Sequence, residues 1–440
     1  MSQSETPPGI SIAIKKENAM EHAQGYGYAD VSQQIPVNPH TAFRIASVSK
    51  LITATALAHL IQEGKIDVDA PIINYYVDVP EEYAQITARQ LAGHIGGVPH
   101  YSAQDKREDR FYSSIDDALS VFMHVSPISE PGSAYQYSTY SYVLLSKVIE
   151  EVSGQPFLEY VEGAVFQSSA MTHSGPELTS SSAENPIYYY DFISDETQQR
   201  IPSAIKKVED LSYKWAGGGM ISSAADLVNM GSSYYNGVLN KDVLDQMYES
   251  QKLNSGVSTG VGIGWRTSYD MHGRKVYEHA GYMTGTRSVL SLFPDDKLAI
   301  SILANSHKPY RIEETAHMVA LPYLTKPAPL PQPRGTSDVS MELTDYDGST
   351  SQAMATIVLN GKTDRMEIKY SDGTLISYTL TYMQRDNIYA LIHPDGILYT
   401  EIEISNNELQ GKVYRYRSPL FEPPSTQKPY MKFSGKFIPE

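Results

Sequence analysis

Phe43-Arg44-Ile45-Ala46-Ser47-Val48-Ser49-Lys50 opens a helical pattern. Leu51, Ala54, Leu57, Ala58 and Ile61 recur at three-to-four spacing, and Gly64, just past Glu63, is a natural stop. The periodicity predicts a helix over Phe43–Glu63, with Ser47 and Lys50 on one face, one turn apart. A serine hydroxyl is a poor nucleophile until a neighbour takes its proton, and a lysine in a partly desolvated pocket stays neutral enough to help. The helix N-terminus adds backbone N–H groups where an oxyanion would form. Read alone, the same pair equally describes a capping serine beside a solvated lysine.

Composition narrows the chemistry. The chain has 440 residues, 35 Lys+Arg against 51 Asp+Glu, and a formal net charge of −16, which speaks against nucleic acid as a partner. Hydrophobic residues at 41% and charged residues at 20% fit a large folded core. With no cysteine there are no disulfides, thiolate nucleophiles or cysteine metal sites, which leaves Ser, His, Lys, Tyr and carboxylates. No apolar run approaches the roughly 18 residues of a membrane span. Met1 to Pro8 lacks the basic and apolar regions of a signal peptide. The expected compartment is therefore the cytoplasm, or the periplasm or exterior if a targeting segment has been removed.

Pro322, Pro327, Pro329, Pro331 and Pro333 mark a tether, because proline is excluded from helix interiors and sheet centres. The reading is a catalytic unit over residues 1–325, a linker over 326–335 and a β-barrel over 336–440. Upstream, Ile10 to Ile14 and Glu21 to Gly27 read as a hairpin. Downstream, alternating segments such as Ala355-Thr356-Ile357-Val358-Leu359 and Met366-Glu367-Ile368-Lys369-Tyr370 are punctuated by Asn360-Gly361, Asp372-Gly373, Asp395-Gly396 and Asn406-Asn407.

Two further elements carry chemistry. Tyr135-Gln136-Tyr137-Ser138-Thr139 precedes a helical run from Tyr142 to Val152. Near a lysine ammonium a phenol is expected to have a depressed pKa, so Tyr137 is a candidate general base, although 33 tyrosines make an isolated one weak evidence. His279-Ala280-Gly281-Tyr282 reads as a strand edge whose glycine lets a substrate backbone approach.

The order of S-x-x-K, then Y-S-T, then H-A-G resembles the class C branch of the serine β-lactamase and penicillin-binding-protein superfamily, from Pro8 to about Tyr323. Supporting segments are Gly25–Asp30, Ile86–Leu91, Gly96–Tyr101 and Gly262–Trp265. Asp210-Leu211-Ser212-Tyr213-Lys214-Trp215-Ala216-Gly217-Gly218-Gly219 is similar to the mitochondrial serine β-lactamase-like protease group and its bacterial relatives. The resemblance implies an α+β fold, an antiparallel sheet flanked by helices with a helical subdomain, and more weakly a lipocalin-like barrel after it. It implies Ser47 as acylated nucleophile, Lys50 as its proton partner and Tyr137 as general base. His279 stands in place of the lysine of K-T-G, the N–H groups of Ser47 and Tyr282 form the oxyanion hole, and Thr139 and Gly281 line the substrate. No metal or cofactor is implied; the partner is a small-molecule or peptide substrate, with a homo-oligomer left open.

Departures from the family pattern bear on substrate. Thr139 replaces the asparagine of Y-x-N and cannot offer an amide's paired donor and acceptor. His279 supplies a charge that depends on pH where lysine would be permanently charged. Both favour a peptidase, amidase or esterase; the alternatives are a β-lactamase with low antibiotic turnover or a non-catalytic scaffold. Gly256-Val257-Ser258-Thr259-Gly260 matches a nucleophile elbow but lacks its strand and helix, so a loop is expected. His94 and His100 are read as pocket-wall or structural residues, and Gly217 to Gly219 as a tight backbone passage. Tyr188, Tyr189 and Tyr190 read as an aromatic wall or as packing.

Overall fold

Apolar and polar residues alternate along Gly9–Lys16, which forms a strand inside a seven-stranded sheet. The computed structural model describes residues 7–102, 104–178, 189–194, 200–205, 209–270, 274–308, 311–325, 334–344, 349–361, 363–382, 388–393, 396–415 and 431–439. Across the sheet the strands run Ile35–Pro36, Ala19–Asp30, Gly9–Lys16, Leu298–Ala304, Thr286–Phe293, Lys275–Met283 and Arg266–Tyr269. The first hairpin pairs Gly9 with Gly27 and Ile12 with Gln24. Ile12 also lies opposite Ile302, so the start of the chain is joined to a strand almost 300 residues later.

Thr286–Phe293 and Leu298–Ala304 are buried along their whole length, because both faces of the sheet are covered. On one face Val289, Ile300 and Ile302 pack with Ile312, Ala316 and Ala320 of the helix Ile312–Ala320. On the other, Leu290, Leu292, Ala299 and Leu303 join the main core with Leu227 and Val228 of the helix Ala224–Ser233. Ile115–Leu119, Tyr140–Ser153 and Phe157–Val161 supply further helices between the short strands Phe43–Arg44 and Met220–Ser222. The unit is α+β.

The helix that follows Ser47 starts later than its periodicity predicts. Phe43–Arg44 pairs as a strand with Ile221 and Ser222, Ala46–Val48 form a 3-10 turn, and the α-helix runs over Ser49–Gln62. The cause is Ala46, whose φ of +46° belongs to no right-handed helix. At the other end Gly64 has φ +66°, and the N–H groups of Lys65 and Gly64 donate to the carbonyls of Leu60 and Ile61 at 3.0 Å each. That closes the helix as a glycine C′ residue should.

The chain divides into two compact units, Met1–Thr267 with Val276–Leu324, and Ser268–Lys275 with Thr325–Glu440. Of the anticipated linker only Arg334 and Gly335 are among the described residues. In the second unit eight strands pair in chain order, and Gly335–Thr344 also pairs with Met431–Pro439, which closes the sheet on itself. Val339, Met341, Ala355, Ile357, Met366 and Ile368 fill its interior, as expected at eight strands. Asn406 and Asn407, at φ +51° and +62°, make the tight turn between Gly396–Ser405 and Glu408–Arg415. Of Asp395-Gly396, Asp395 lies outside the described residues.

Candidate active site

Ala46 at φ +46° costs roughly 1–2 kcal/mol, and the surrounding structure holds it there. The Ile45 N–H donates to Met220 O at 3.1 Å. Ser49 Oγ donates to Ala46 O at 2.6 Å and accepts from the Met220 N–H at 3.2 Å. Ser288 Oγ and Thr286 Oγ1 donate to Ile45 O and Arg44 O at 2.6 and 2.8 Å. At about 1 kcal/mol each, these bonds outweigh the strain. The kink leaves Ser47 half-buried while its neighbours on both sides are buried.

Ser47 Oγ receives a hydrogen bond from Tyr137 Oη at 2.7 Å and lies 3.3 Å from Lys50 Nζ. Lys50 is fully buried; its Nζ also donates to Gly217 O at 2.5 Å and Thr139 Oγ1 at 3.3 Å. Burial, with Arg266 and then Lys214 nearby, holds the Lys50 ammonium well below its ordinary 10.5. Neutral lysine has two N–H donors and one lone pair. It can serve Gly217 O and Thr139 Oγ1 while taking a proton from Ser47, a complete use of the group.

Tyr137 departs from expectation. Burial pushes its phenol above 10.0, and the opposing effects of Arg266 and the Ser47 contact do not reverse this. The expected depression required a charged Lys50 beside it. Burial outweighs the charges around it, so the phenol is raised rather than lowered and Tyr137 is a hydrogen-bond donor to Ser47.

His279 also differs. Its Nδ1 lies 2.8 Å from Ala280 O, a pure acceptor, and its Nε2 lies 3.2 Å from the Arg266 guanidinium, a pure donor. These partners fix the neutral tautomer with hydrogen on Nδ1. Burial, then Arg266 and Lys50, push its pKa well below 6.5. The anticipated pH-dependent charge at this position is thus absent at neutral pH, and the permanent cation there is Arg266, buried at 1% exposure. The Gly262–Trp265 motif ends one residue short of it.

His94 and His100 fix the loop that carries Tyr137. His94 Nδ1 accepts the Ser138 N–H at 3.2 Å, and His100 Nδ1 accepts the Thr139 N–H at 3.1 Å. Their rings lie against Tyr137 at centroid distances of 4.4 and 5.7 Å. Burial and then Lys50 lower both, His100 to about 4, so both remain neutral acceptors. Among the described residues no cluster of three His, Asp or Glu could hold a metal ion.

Two glycines set the closest approaches. A Cβ on Gly217 would lie 2.7 Å from Thr139 Cγ2 and 2.8 Å from Thr139 O, so the triple glycine is a tight backbone passage that delivers the Gly217 carbonyl to Lys50. A Cβ on Gly281 would lie 2.3 Å from Ile45 O and 3.0 Å from Ala46 Cβ, so the Gly281-Tyr282 backbone abuts the turn that carries Ser47. Ser47, Lys50, Tyr137, Thr139, His279 and Gly281 are therefore gathered in one place. The Tyr282 side chain is 62% exposed, and its ring lies under the Arg287 guanidinium at 5.5 Å.

Ser258 of the G-x-S-x-G stretch is exposed in a loop and contacts Ser250 Oγ at 2.6 Å. Tyr189 is buried under the Arg44 guanidinium at 4.7 Å and Tyr190 Oη accepts the Val31 N–H, so both pack the interior; Tyr188 lies outside the described residues.

An antiparallel sheet between helices, with a serine at the head of a buried helix, defines a serine hydrolase of the β-lactamase fold. The family model described as Beta-lactamase matches residues 2–323, and the chain belongs to that family. It is 26% identical over 295 residues to the human mitochondrial serine beta-lactamase-like protein LACTB, covering 51% of this chain and 53% of that protein. The chain thus spans about half the length of these curated relatives. Protein flp of Staphylococcus aureus strain N315 is 25% identical over 324 residues, 71% of this chain and 62% of that one. Among solved structures, the octameric penicillin-binding protein homologue from Pyrococcus abyssi matches with a TM-score of 0.60 at 21% identity, covering 97% of this chain and 96% of that one. D-amino acid amidase from Ochrobactrum anthropi SV3 matches at 0.61 and 21%, covering 72% and 94%. Among the described residues no helix is long and apolar enough to cross a membrane.

Proposed function

We propose that the chain hydrolyses amide or ester bonds through an acyl-enzyme on Ser47, as a peptidase, amidase or esterase. Neutral Lys50 takes the Ser47 proton as Oγ bonds to the substrate carbonyl carbon. The oxyanion is received by the N–H groups of Ser47 and Tyr282. Tyr137 passes a proton to the departing amine or alcohol and is resupplied from Lys50, so the carbon–heteroatom bond breaks without a free anion leaving. Water then attacks the acyl-enzyme, gives one proton back through the same groups, and releases the acid and Ser47. The observation that carries this reading is the pair of contacts on Ser47 Oγ, from Tyr137 at 2.7 Å and a buried Lys50 at 3.3 Å.

The choice of amides and esters over antibiotic lactams is supported by Thr139, whose single hydroxyl is engaged by Lys50, and by the amidase among the structural neighbours. A fluorophosphonate probe is expected to label native protein at Ser47 and no other serine. An unlabelled Ser47 in folded protein would remove the acyl-enzyme.

The closed eight-stranded unit is read as lipocalin-like and assigned to self-assembly. The octameric Pyrococcus abyssi protein shares this fold over 97% of the chain, which supports a homo-oligomer. Light scattering should give a mass several times the 48.8 kDa chain, and a single monomeric species at micromolar concentration would refute the assignment.

A further inference from the structure

Lys214 is 4% exposed, and among the described residues it forms no ion pair. Its ammonium lies over the rings of Tyr101 and Tyr213, at 5.0 and 5.1 Å. Two carboxylates act on it, and each is held by another cation: Glu177 by Arg44 at 2.6 Å and Glu209 by Arg107 at 3.8 Å. A Cβ on Gly218 would lie 3.9 Å from both Lys214 Cδ and the Ala46 carbonyl carbon, so only Gly218 stands between the lysine stem and the residue before Ser47. Its charge also bears on Lys50 and His100. An ammonium withdrawn from water without its own anion is costly, and stacking on two phenol rings offsets only part of that cost.

We propose that Lys214 is the seat for a carboxylate carried by the substrate, so that the enzyme prefers amides and esters bearing an anionic group a few bonds from the scissile carbonyl. This names the substrate class of the site proposed above and rests on Ser47 being the nucleophile. The aromatic pair orients the ammonium, the neighbouring carboxylates are already committed, and a ligand carboxylate completes the ion pair. Burial lowers Lys214 to about 8, with Arg107 and Arg44 assisting and Glu209 and Glu177 opposing. Preference for the anion accordingly fades as pH rises through that value, because free Lys214 loses its charge.

The test compares p-nitrophenyl hydrogen glutarate with p-nitrophenyl valerate, which differ by a carboxylate in place of a methyl group. At pH 7 the native enzyme should favour the glutarate by tenfold or more in kcat/KM. Lys214→Met should bring the ratio to about one, mainly through KM, whereas Lys214→Arg should retain most of it. A ratio unchanged in Lys214→Met, or near one in native enzyme, overturns the proposal. Binding of glutaramate against glutaramide to Ser47→Ala protein, followed by NMR titration, separates this from the chemistry. Tighter glutaramate binding that vanishes in Ser47→Ala/Lys214→Met upholds the subsite even if neither ester is hydrolysed and the acyl-enzyme reading falls; equal binding of the two ligands overturns it.

Discussion

Ser47→Ala is expected to reduce kcat on the order of 10⁶-fold, as loss of the nucleophile does in serine hydrolases whose groups act as a unit. The fold should not change, because the Ser47 hydroxyl holds none of it. Its hydrogen bonds run to Tyr137 and Lys50, and the turn itself is secured by Ile45, Ser49, Thr286 and Ser288. An unchanged melting temperature alongside lost turnover is therefore the expected pair of results. Turnover within about a hundredfold of native would place the nucleophile elsewhere, since binding and oxyanion stabilisation alone leave a residual rate only about 10³ to 10⁴ above water.

The S-x-x-K spacing was readable because one helical turn brings Ser47 and Lys50 together whatever the rest of the fold does. Its start was not: the apolar period of the helix continues back through Phe43, and only the strand pairing of Phe43–Arg44 and the φ of Ala46 interrupt it. Arg266 was invisible for a different reason. It stands 13 residues before His279 on an edge strand, and nothing local says that their side chains meet. The protonation of Tyr137 and His279 is likewise tertiary. It follows from burial and from which cations the fold collects around Lys50, quantities that residue identity does not contain. Lys214 lay inside a recognised segment, yet its lack of an ion pair among the described residues depends on Arg44 and Arg107 having taken the nearby carboxylates.

Lys50→Met should lower kcat by about 10²- to 10⁴-fold, the usual worth of a positioned general base. Methionine fills a similar volume, so the loss reflects the amine and the two donors it supplies to Gly217 O and Thr139 Oγ1 rather than a cavity. The pH profile identifies which group acts. Neutral Lys50 is the active form, so native kcat/KM rises with pH as Lys50 loses its proton and levels off above that point. Burial, Arg266 and Lys214 place this rise below the ordinary lysine value of 10.5. The rising limb should disappear in Lys50→Met. Tyr137→Phe should lower the plateau but keep the limb, because the phenol, raised above 10.0, is a donor across the working range. The opposite pattern, a limb retained in Lys50→Met and lost in Tyr137→Phe, would make phenolate the base and require that substrate binding reverse the effect of burial on Tyr137.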